Sequence, residues 1–307
     1  MKILIVGLGA IGMIYATKLK DAGFEPKILV DESRYERYKR NGRIFNGKRY
    51  DFDYILPEDQ NYYADLVLIA VKSFDFNNVV ENLNNFVLKD TIIMSLLNGI
   101  SSEDLLRKRY PYAKVVESYY IGHASMRFEN EIKYDGIGKI VFGGHVQIED
   151  VFNSAGIEYE IADDMQASMW EKFIINIGIN QTTAVLKSPY ACFKNSEARE
   201  IANGLMAEGV EIAKRMGVRG TDKFIENAFK LIDSMPPNCK TSMMQDIERG
   251  QKTESDIFAG EICRMGRELG IATPKNEIVY QIIKRMEKAV SVGPHNGVDK
   301  NFFLLYS

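Results

Sequence analysis

Three polar side chains at a spacing of four interrupt an apolar segment in the second half of the chain. Lys172, Asn176 and Asn180 lie within Trp170–Asn180, whose other residues are mostly apolar. In an α-helix, residues four apart drift by only about 40° around the axis, so the three polar groups share one face. A buried unpaired amide costs on the order of 1–3 kcal/mol, and an unpaired ammonium costs more. The segment therefore predicts either backbone partners for this face, or a cleft where the amine acts on a substrate and the amides hold its polar groups.

A glycine-rich motif near the start of the chain is typical of a dinucleotide-binding site. Gly7-Leu8-Gly9-Ala10-Ile11-Gly12 follows a predicted buried strand, Ile3–Val6, and precedes a predicted helix, Met13–Ala22, and a second strand, Pro26–Val30. In this context the glycines permit a tight turn, close approach of the backbone to a pyrophosphate, and packing of the helix on the strand. The helix N-terminus supplies N–H donors and a partial positive charge for phosphates. The alternative is three turn glycines in an unrelated α/β domain.

Two charged residues after the second strand bear on the choice of cofactor. Asp31 could accept hydrogen bonds from the ribose 2′-OH and repel a 2′-phosphate, which favours NAD. Arg34 could pair with a 2′-phosphate, which favours NADP. Either residue can also be a solvated surface charge. The pair therefore leaves both nicotinamide cofactors open.

Two further polar residues follow apolar strands. Lys72 comes directly after the predicted strand Asp65–Val71, and Asn98 comes soon after Asp90–Leu96. In an open parallel sheet, ligands bind beyond the carboxyl ends of the strands, so both residues are candidates for contacting the cofactor. Their structural alternatives are a surface lysine and a turn asparagine before glycine.

The pattern changes from α/β to helical near residue 165. Further strands are predicted at Val115–Tyr120, Lys139–Gly143 and Ile157–Ile161, and the rest of the chain is mostly helical in period. We therefore expect an α/β fold with two domains. Residues 1–165 would form a Rossmann-type dinucleotide-binding domain with a parallel sheet, and residues 166–307 an all-helical domain that binds substrate and carries catalytic residues.

Two polar residues in the helical half have both a capping and a catalytic interpretation. Ser242 and Gln245 form a Ser-x-x-Gln capping box. Glu254 lies in the first turn of a predicted helix, Thr253–Leu269, where a carboxylate gains roughly 0.3–1 kcal/mol from the helix dipole. The catalytic alternative for Glu254 is a carboxylate that faces Lys172.

Composition narrows the class of protein. The 307 residues suffice for two domains, and 39 Lys+Arg against 42 Asp+Glu argue against nucleic acid as the main partner. The three cysteines, Cys192, Cys239 and Cys263, are far apart, and no CxxC pair or Cys/His cluster suggests a metal. A reduced cytoplasmic protein is therefore expected. The apolar run Ile3–Ala16 resembles a signal peptide, but glycines interrupt it, and no other apolar segment is long enough to span a membrane.

Together these motifs resemble those of the ketopantoate reductase (2-dehydropantoate 2-reductase) family over nearly the whole chain. The matching motifs are Lys2-Ile3-x-Ile5-x-Gly7-x-Gly9-Ala10-Ile11-Gly12, Lys72, Asn98-Gly99, Trp170-x-Lys172-x-x-x-Asn176-x-x-x-Asn180, Ser242-Met243-x-Gln245-Asp246 and Thr253-Glu254-x-Asp256. Many dehydrogenases share the first motif, whereas the motifs of the carboxyl-terminal half are far more specific. The resemblance implies a Rossmann domain followed by a helical domain like that of 6-phosphogluconate dehydrogenase.

The resemblance also implies roles for the residues at the substrate. Lys172 would be the general acid, and Glu254 would bind the hydroxyl of the substrate. Asn176, Asn180 and Ser242 would hold the substrate, with Ser242 near its carboxylate. The expected reaction is reduction of a small 2-oxo acid, 2-dehydropantoate, to pantoate in pantothenate synthesis.

On the cofactor side, the resemblance implies that Asn98 bridges cofactor and substrate and that Lys72 holds the phosphate or adenine end. The usual cofactor of the family is NADPH, and its members often have an arginine where this chain has Asp31. NADP is thus the expected cofactor, with Arg34 and Lys72 as compensating cations and NAD as the alternative.

Two other functions stay open. One is reduction of a different 2-oxo acid by the same architecture, because the sequence does not define the apolar wall of the pocket. The other is a non-catalytic nucleotide-sensing protein, against which Lys172 and Glu254 together argue. The sequence does not decide whether the chain forms a homodimer.

Overall fold

A computed structural model describes residues 1–122, 126–128 and 131–291. These residues form two compact units that divide after Phe173. The strands are β1 (Ile3–Val6), β2 (Lys27–Leu29), β3 (Arg43–Phe45), β4 (Lys48–Tyr50), β5 (Asp53–Ile55), β6 (Leu66–Ile69), β7 (Ile92–Ser95), β8 (Lys114–Val116), β9 (Ser118–Gly122), β10 (Met126–Phe128), β11 (Glu131–Lys133), β12 (Gly138–Phe142) and β13 (Tyr159–Ile161).

The α-helices are α1 (Ala10–Asp21), α2 (Glu32–Asn41), α3 (Phe76–Asn82), α4 (Ser102–Arg109), α5 (Val146–Ser154), α6 (Met165–Ile175), α7 (Gln181–Leu186), α8 (Ser196–Arg215), α9 (Phe224–Ser234), α10 (Ser242–Glu248), α11 (Ala259–Leu269) and α12 (Pro274–Ser291). Short 3₁₀ turns occupy Ser73–Asp75, Tyr190–Lys194, Thr221–Lys223 and Ser255–Ile257, and a π-helical turn occupies Asn176–Asn180.

The main sheet of the first unit has six strands in the order β5-β2-β1-β6-β7-β8. Every neighbouring pair is parallel. When these six strands are numbered by themselves along the chain, the order is 3-2-1-4-5-6, that of a Rossmann dinucleotide-binding sheet. The predicted fold class of this half is confirmed. The direction of connection reverses between β1 and β6, so a ligand is expected beyond the carboxyl ends of these two strands.

The first strand illustrates why this sheet forms. Ile3 and Ile5 pack into one apolar layer, whereas Leu4 and Val6 pack into the layer on the opposite face. All four side chains are buried. A parallel sheet covered on both faces requires such continuous apolar strands, because successive side chains point to opposite sides.

Two smaller sheets complete the first unit, with orders β10-β11-β3-β4 and β13-β12-β9. The prediction of a single strand over Val115–Tyr120 is wrong. This segment is two strands, since β8 pairs with β7 in the main sheet and β9 pairs antiparallel with β12. Only one residue, Glu117, lies between the two strands, so the alternation of side chains continues from one strand into the next. Periodicity alone therefore could not show where the first strand ends.

The second unit is helical throughout the part that is described, as predicted. Gly178 lets α8 approach the π-helical turn closely, because a Cβ there would lie 2.4 Å from Cγ of Met206. The buried amide of Gln181 donates to the Ile177 carbonyl (2.8 Å) and accepts from the Ala259 N–H (3.1 Å), which ties α7 to the start of α11. The division between the units falls within α6. The predicted boundary near residue 165 corresponds to the first residue of that helix and stays a prediction about domains.

The described helices and the three cysteines can be compared with the expectations from composition. Among the described helices, none has both the length and the apolar character needed to cross a bilayer. Cys192, Cys239 and Cys263 are all free thiols, and the first and last of them are buried.

Candidate active site

The glycine turn joins β1 to α1 at the point where the main sheet reverses its connections. Gly7 has φ of 91°, and a Cβ there would lie 2.6 Å from Cγ1 of Val71 and 2.7 Å from the carbonyl oxygen of Ala70. A Cβ on Gly12 would lie 1.9 Å from the carbonyl oxygen of Gly7. Two of the three glycines are therefore required by the turn itself and by its packing.

The third glycine has a different reason. A Cβ on Gly9 would meet no atom of the described residues within 4 Å. Gly9 is also the N-cap of α1, whose first turn has neither a side-chain cap nor an acidic residue. Uncapped N–H groups at a helix N-terminus, next to space that a side chain would fill, fit a cofactor pyrophosphate. Leu8 is buried, and Ala10 and Ile11 open the helix half-buried.

A buried arginine donates a hydrogen bond to the backbone of this turn. The Arg43 guanidinium donates to the carbonyl oxygen of Leu8 at 3.3 Å and lies 4.9 Å from the ring of Tyr38. Arg43 is only 2% exposed. Sequence reasoning missed this contact, because an arginine at a strand start reads as a surface residue and its partner lies far away along the chain.

Asp31 and Arg34, which the sequence offered as competing cofactor ligands, are bound to each other. Asp31 is the N-cap of α2 and accepts from the Arg34 N–H and the Ser33 hydroxyl, both at 2.8 Å. The Arg34 guanidinium lies 3.0 Å from the Asp31 carboxylate and 3.9 Å from that of Asp75. Burial alone would raise the pKa of Asp31, but these hydrogen bonds and the charges of Arg34 and Arg37 lower it below its ordinary value.

Lys72 and Asn98 occupy the positions expected from the strand pattern. Lys72 is exposed and precedes the 3₁₀ turn Ser73–Asp75 that follows β6. Asn98 is half-buried in the loop after β7. Since β6 and β7 are parallel neighbours, both residues lie at the carboxyl edge of the main sheet.

The amine of Lys172 reaches this same edge. Its Nζ donates to Oδ1 of Asn98 at 2.9 Å, a contact between residues 74 positions apart. The Nζ also lies 4.7 Å from the centroid of the Tyr119 ring. Lys172 is half-buried, so protein groups surround part of its side chain.

Tyr119 and Ser168 complete this cluster, and sequence reasoning missed both. The Tyr119 hydroxyl and the Ser168 hydroxyl are 2.7 Å apart. Burial raises the pKa of Tyr119, while the hydrogen bond to Ser168 lowers it and the charges of Glu160 and Glu171 raise it, so the phenol is neutral at physiological pH. Ser168 lies four residues before Lys172 on α6, which is the signal that could have linked it to the amine.

A hydrogen-bonded network lies behind the Asn98 loop. The Ser118 hydroxyl donates to the Ser95 carbonyl at 2.9 Å, and the Ser95 and Ser102 hydroxyls are 2.8 Å apart. The Ser102 hydroxyl donates to the Glu103 carboxylate at 2.9 Å. Desolvation raises the pKa of Glu103 to about 7, since this side chain is 3% exposed.

The prediction that Asn176 and Asn180 lie on a continuous α-helix is wrong. Both residues lie on the π-helical turn Asn176–Asn180. Nδ2 of Asn180 donates to Oδ1 of Asn176 at 3.2 Å. Nδ2 of Asn176 is buried and has no hydrogen-bond partner within the described part of the chain. A buried amide donor without a partner costs about 1–3 kcal/mol, so this N–H group is suited to a ligand oxygen. Single π turns inside helices occur frequently at functional sites.

The capping box predicted for Ser242 and the position of Glu254 in the first turn of an α-helix are both wrong. The N-cap of α10 is Thr241, whose hydroxyl accepts from the Met244 N–H at 3.1 Å, and Ser242 is the first helical residue. The predicted helix over Thr253–Leu269 is a 3₁₀ turn, Ser255–Ile257, followed by α11, so Glu254 does not lie in the first turn of an α-helix. Ser-x-x-Gln and Thr-x-x-Met start one residue apart, and only local backbone geometry decides between them. Glu254 instead precedes this 3₁₀ turn as its N-cap, without a hydrogen bond from its side chain to the turn.

The parallel sheet, its glycine turn and the lysine at its carboxyl edge define a class, the nicotinamide-dependent oxidoreductases. Comparison with known proteins leads from this class to a family. The sequence model described as "Ketopantoate reductase PanE/ApbA" matches residues 3–147, and its carboxyl-terminal counterpart matches residues 164–287. The chain belongs to the ketopantoate reductase PanE/ApbA family.

Individual relatives are distant but match nearly the whole chain. A 2-dehydropantoate 2-reductase of Archaeoglobus fulgidus is 25% identical, with 94% of this chain and 99% of that protein covered. A PanE/ApbA family ketopantoate reductase of Ralstonia eutropha is 25% identical, with a TM-score of 0.83, and 95% of this chain and all of that chain are covered. A D-mandelate dehydrogenase, solved with NADH and anilino(oxo)acetate, has a TM-score of 0.85 at 23% identity over 95% of this chain and all of its own.

Proposed function

We propose that this protein is a 2-oxo acid reductase whose substrate is 2-dehydropantoate, which it reduces to pantoate in cytoplasmic pantothenate synthesis. Membership of the ketopantoate reductase family and the relative of that activity at 25% identity support the proposal. The fold alone does not single out this substrate, since a D-mandelate dehydrogenase shares it. A different 2-oxo acid is therefore the second candidate.

The hydrogen bond between Lys172 and Asn98 is the single observation that carries the proposal. It holds an amine at the carboxyl edge of a Rossmann sheet, where the rule for open α/β sheets locates the ligand. A non-catalytic nucleotide-sensing protein has no need of a half-buried amine there.

The reaction requires charge stabilisation at one oxygen atom. The glycine turn Gly7–Gly12 would hold a reduced nicotinamide cofactor, which would supply the hydride for the carbonyl carbon of the 2-oxo acid. The Lys172 ammonium stabilises the negative charge that develops on the carbonyl oxygen and transfers a proton from Nζ to that oxygen, giving a hydroxyl group. The neutral amine then takes a proton from solvent. General acid catalysis of this kind is typically worth ~10²–10⁴-fold.

Four further residues are assigned to the substrate. Asn176 and Asn180 would bind its oxygen atoms, and the buried Nδ2 of Asn176, which has no hydrogen-bond partner among the described residues, supports that role. Ser242 would bind the carboxylate through its hydroxyl, which is not used as a helix cap. Glu254, which is 6% exposed, would accept a hydrogen bond from the substrate hydroxyl.

The contacts of Asp31 support NADH over the NADPH that the family resemblance implies. Asp31 is ionised, because its pKa is lowered, and it would repel a 2′-phosphate. Arg34 is shared between the carboxylates of Asp31 and Asp75, so a 2′-phosphate would have to compete with both for it. The 2′-OH of NADH requires only an acceptor, which Asp31 provides.

The first experiment is a rate comparison under NADH and NADPH with 2-dehydropantoate and a panel of 2-oxo acids. We expect oxidation of the cofactor that depends on 2-dehydropantoate, with a higher kcat/KM for NADH. Turnover of another 2-oxo acid alone would select the second candidate. The absence of turnover with every acid and both cofactors would exclude a reductase.

The second experiment tests the general acid. Lys172→Ala is expected to lower kcat by about 10²–10⁴-fold, while the Kd for NADH stays similar. Lys89→Ala, which changes an exposed lysine away from the site, is the control and should leave both quantities unchanged. Near-normal turnover of Lys172→Ala would exclude the general-acid role. Sedimentation of the purified chain would test the homodimer that the sequence left open.

A further inference from the structure

The proposed general acid is held by two neighbours of different chemistry. Asn98 accepts a hydrogen bond from Lys172 Nζ through Oδ1, whereas Tyr119 presents the face of its ring to the same atom at 4.7 Å. A cation within about 6 Å of an aromatic centroid is attracted by the negative face of the ring. The ring, unlike a carboxylate, brings no formal charge and takes no proton from the amine.

The Tyr119 ring is itself fixed at both ends. On the backbone side, β9 pairs with β12, and Tyr119 is opposite Val141. At the other end the phenol hydroxyl is 2.7 Å from the hydroxyl of Ser168. The side chain is 7% exposed and packs against Val141, Met165 and Met169. A ring held this firmly defines where the amine can rest.

Helix α6 contributes both contacts to this ring. Ser168 and Lys172 are four residues apart and therefore adjacent on one face of the helix. Their side chains hold the two ends of one phenol, the hydroxyl by Ser168 and the ring face by Lys172. This clamp orients α6 relative to β9, and the orientation of α6 determines where Nζ lies.

We propose that Tyr119 is a positioning residue of the reductase, which holds the Lys172 ammonium charged and directed at the substrate oxygen through a cation–π contact. The proposal rests on the function of Lys172 as general acid given above. It assigns no proton transfer to Tyr119, whose hydroxyl is occupied with Ser168.

A test that follows the titration of the Lys172 amine requires that the other charged groups near the Tyr119 ring stay the same in every variant. Glu160 on β13 and Glu171 on α6 are the carboxylates whose charges act on Tyr119. No variant described below alters either of them. A change in the titration of the amine across these variants therefore reports the ring.

The experiment replaces Tyr119 by phenylalanine and then by phenylalanines that carry one and three ring fluorines, in the full-length protein. Fluorine withdraws electron density and so weakens the negative electrostatic potential of the ring face, while shape and burial stay close to those of phenylalanine. Two quantities are measured: the midpoint of the alkaline limb of kcat, and the pH midpoint for modification of Lys172 by an amine-reactive reagent, followed by mass spectrometry. The second needs no turnover.

We expect both midpoints to fall stepwise with fluorination, by about 0.5–1 pH unit over the series. Over the same series kcat should fall while the KM for the cofactor stays constant. Identical midpoints across the series would overturn the proposal. A wild-type protein that reduces no 2-oxo acid would instead refute the proposed function, and the modification midpoints would still report the contact.

Two further variants separate the hydroxyl from the ring. Tyr119→Phe and Ser168→Ala break the same hydrogen bond, so each should lower kcat by a few-fold, and the double variant should lose no more than either alone. Tyr120→Leu is the matched control, because this neighbour on β9 packs into the opposite apolar layer. It should lower the Tm and leave the alkaline midpoint unchanged. A loss in Tyr119→Phe as large as that in the trifluorinated variant would show that the hydroxyl, not the ring, carries the effect.

Discussion

At the scale of single residues, Asp31 shows how one carboxylate serves two purposes. It caps α2 through the Arg34 N–H, and it carries the negative charge next to the expected ribose. The sequence suggested Asp31 and Arg34 as opposing determinants of cofactor choice. In the structure they form an ion pair, and Asp75 is a second carboxylate near the Arg34 guanidinium.

Asp31→Asn separates these two purposes. Asparagine caps helices as well as aspartate does, so the Tm should stay close to that of the wild type. Loss of the charge should shift the ratio of kcat/KM for NADPH over NADH by roughly tenfold towards NADPH. The measurement is steady-state kinetics with both cofactors at one ionic strength.

Asp31→Ala is the matched variant, because it removes the cap as well as the charge. It should shift the cofactor ratio to a similar extent and also cost about 1 kcal/mol of stability. An unchanged ratio in both variants would show that the 2′ position of the cofactor lies elsewhere.

At the scale of elements, the turn between β1 and α1 contains glycines that serve different purposes, one for folding and one for ligand binding. The motif and both flanking elements were predicted and are confirmed, with β1 at Ile3–Val6 and α1 beginning at Ala10 rather than Met13. The early start follows from Gly9 as N-cap. Gly12 is required for folding, because a Cβ there would clash with the backbone of Gly7. The space next to Gly9 is open among the described residues and could hold part of a ligand.

Gly9→Ala and Gly12→Ala should therefore differ. Gly9→Ala adds a methyl group that meets no atom in the described part of the chain, so the Tm should stay unchanged while the Kd for NADH rises at least tenfold. Gly12→Ala forces its methyl group onto the Gly7 carbonyl, which should cost about 1–3 kcal/mol of stability and also weaken NADH binding. Thermal unfolding without cofactor and fluorescence titration with NADH measure the two effects. If Gly9→Ala and the wild type bind NADH with equal affinity, the cofactor pyrophosphate does not bind at this turn.

The π-helical turn is the element that local patterns did not predict. A spacing of four among Lys172, Asn176 and Asn180 fits an α-helix, and hydrophobic period cannot distinguish one inserted π turn from an α turn. The close packing of Gly178 on Met206 is a tertiary contact that accompanies the turn. The functional prediction for Asn176 nevertheless keeps its support, because the turn leaves its Nδ2 buried without a partner among the described residues.

At the scale of the whole molecule, the buried Glu103 makes stability depend on pH. Its pKa is raised to about 7 in the folded protein, chiefly by desolvation and secondarily by Glu117, against hydrogen bonds from Ser102 and its own N–H and the charge of Arg107. A carboxyl group with a raised pKa stabilises the folded state most when it is protonated. That stability is fully present below the ordinary pKa of 4.5 and is lost as the pH rises through about 7.

Glu103→Gln should remove this dependence. Glutamine keeps an oxygen to accept from Ser102 but cannot ionise, so the variant should exceed the wild type in stability by up to about 3 kcal/mol at pH 8 and match it near pH 4.5. The measurement is the Tm of both proteins from pH 4.5 to pH 8. Parallel curves for the two proteins would show that Glu103 is ionised in the fold throughout that range.

The sequence by itself determined the features that depend on neighbours along the chain. The apolar strands, the glycine turn and the change to helical period are local, because side-chain periods of 2 and 3.6 and the φ of glycine act over a few residues. The family motifs located Lys172 and Asn98 as separate candidates. The tertiary structure decided which groups meet, such as Lys172 with Asn98 and Tyr119, or Arg43 with Leu8. Contacts of this kind join segments that are distant in sequence, and sheet pairing and core packing, which no local propensity encodes, bring them together.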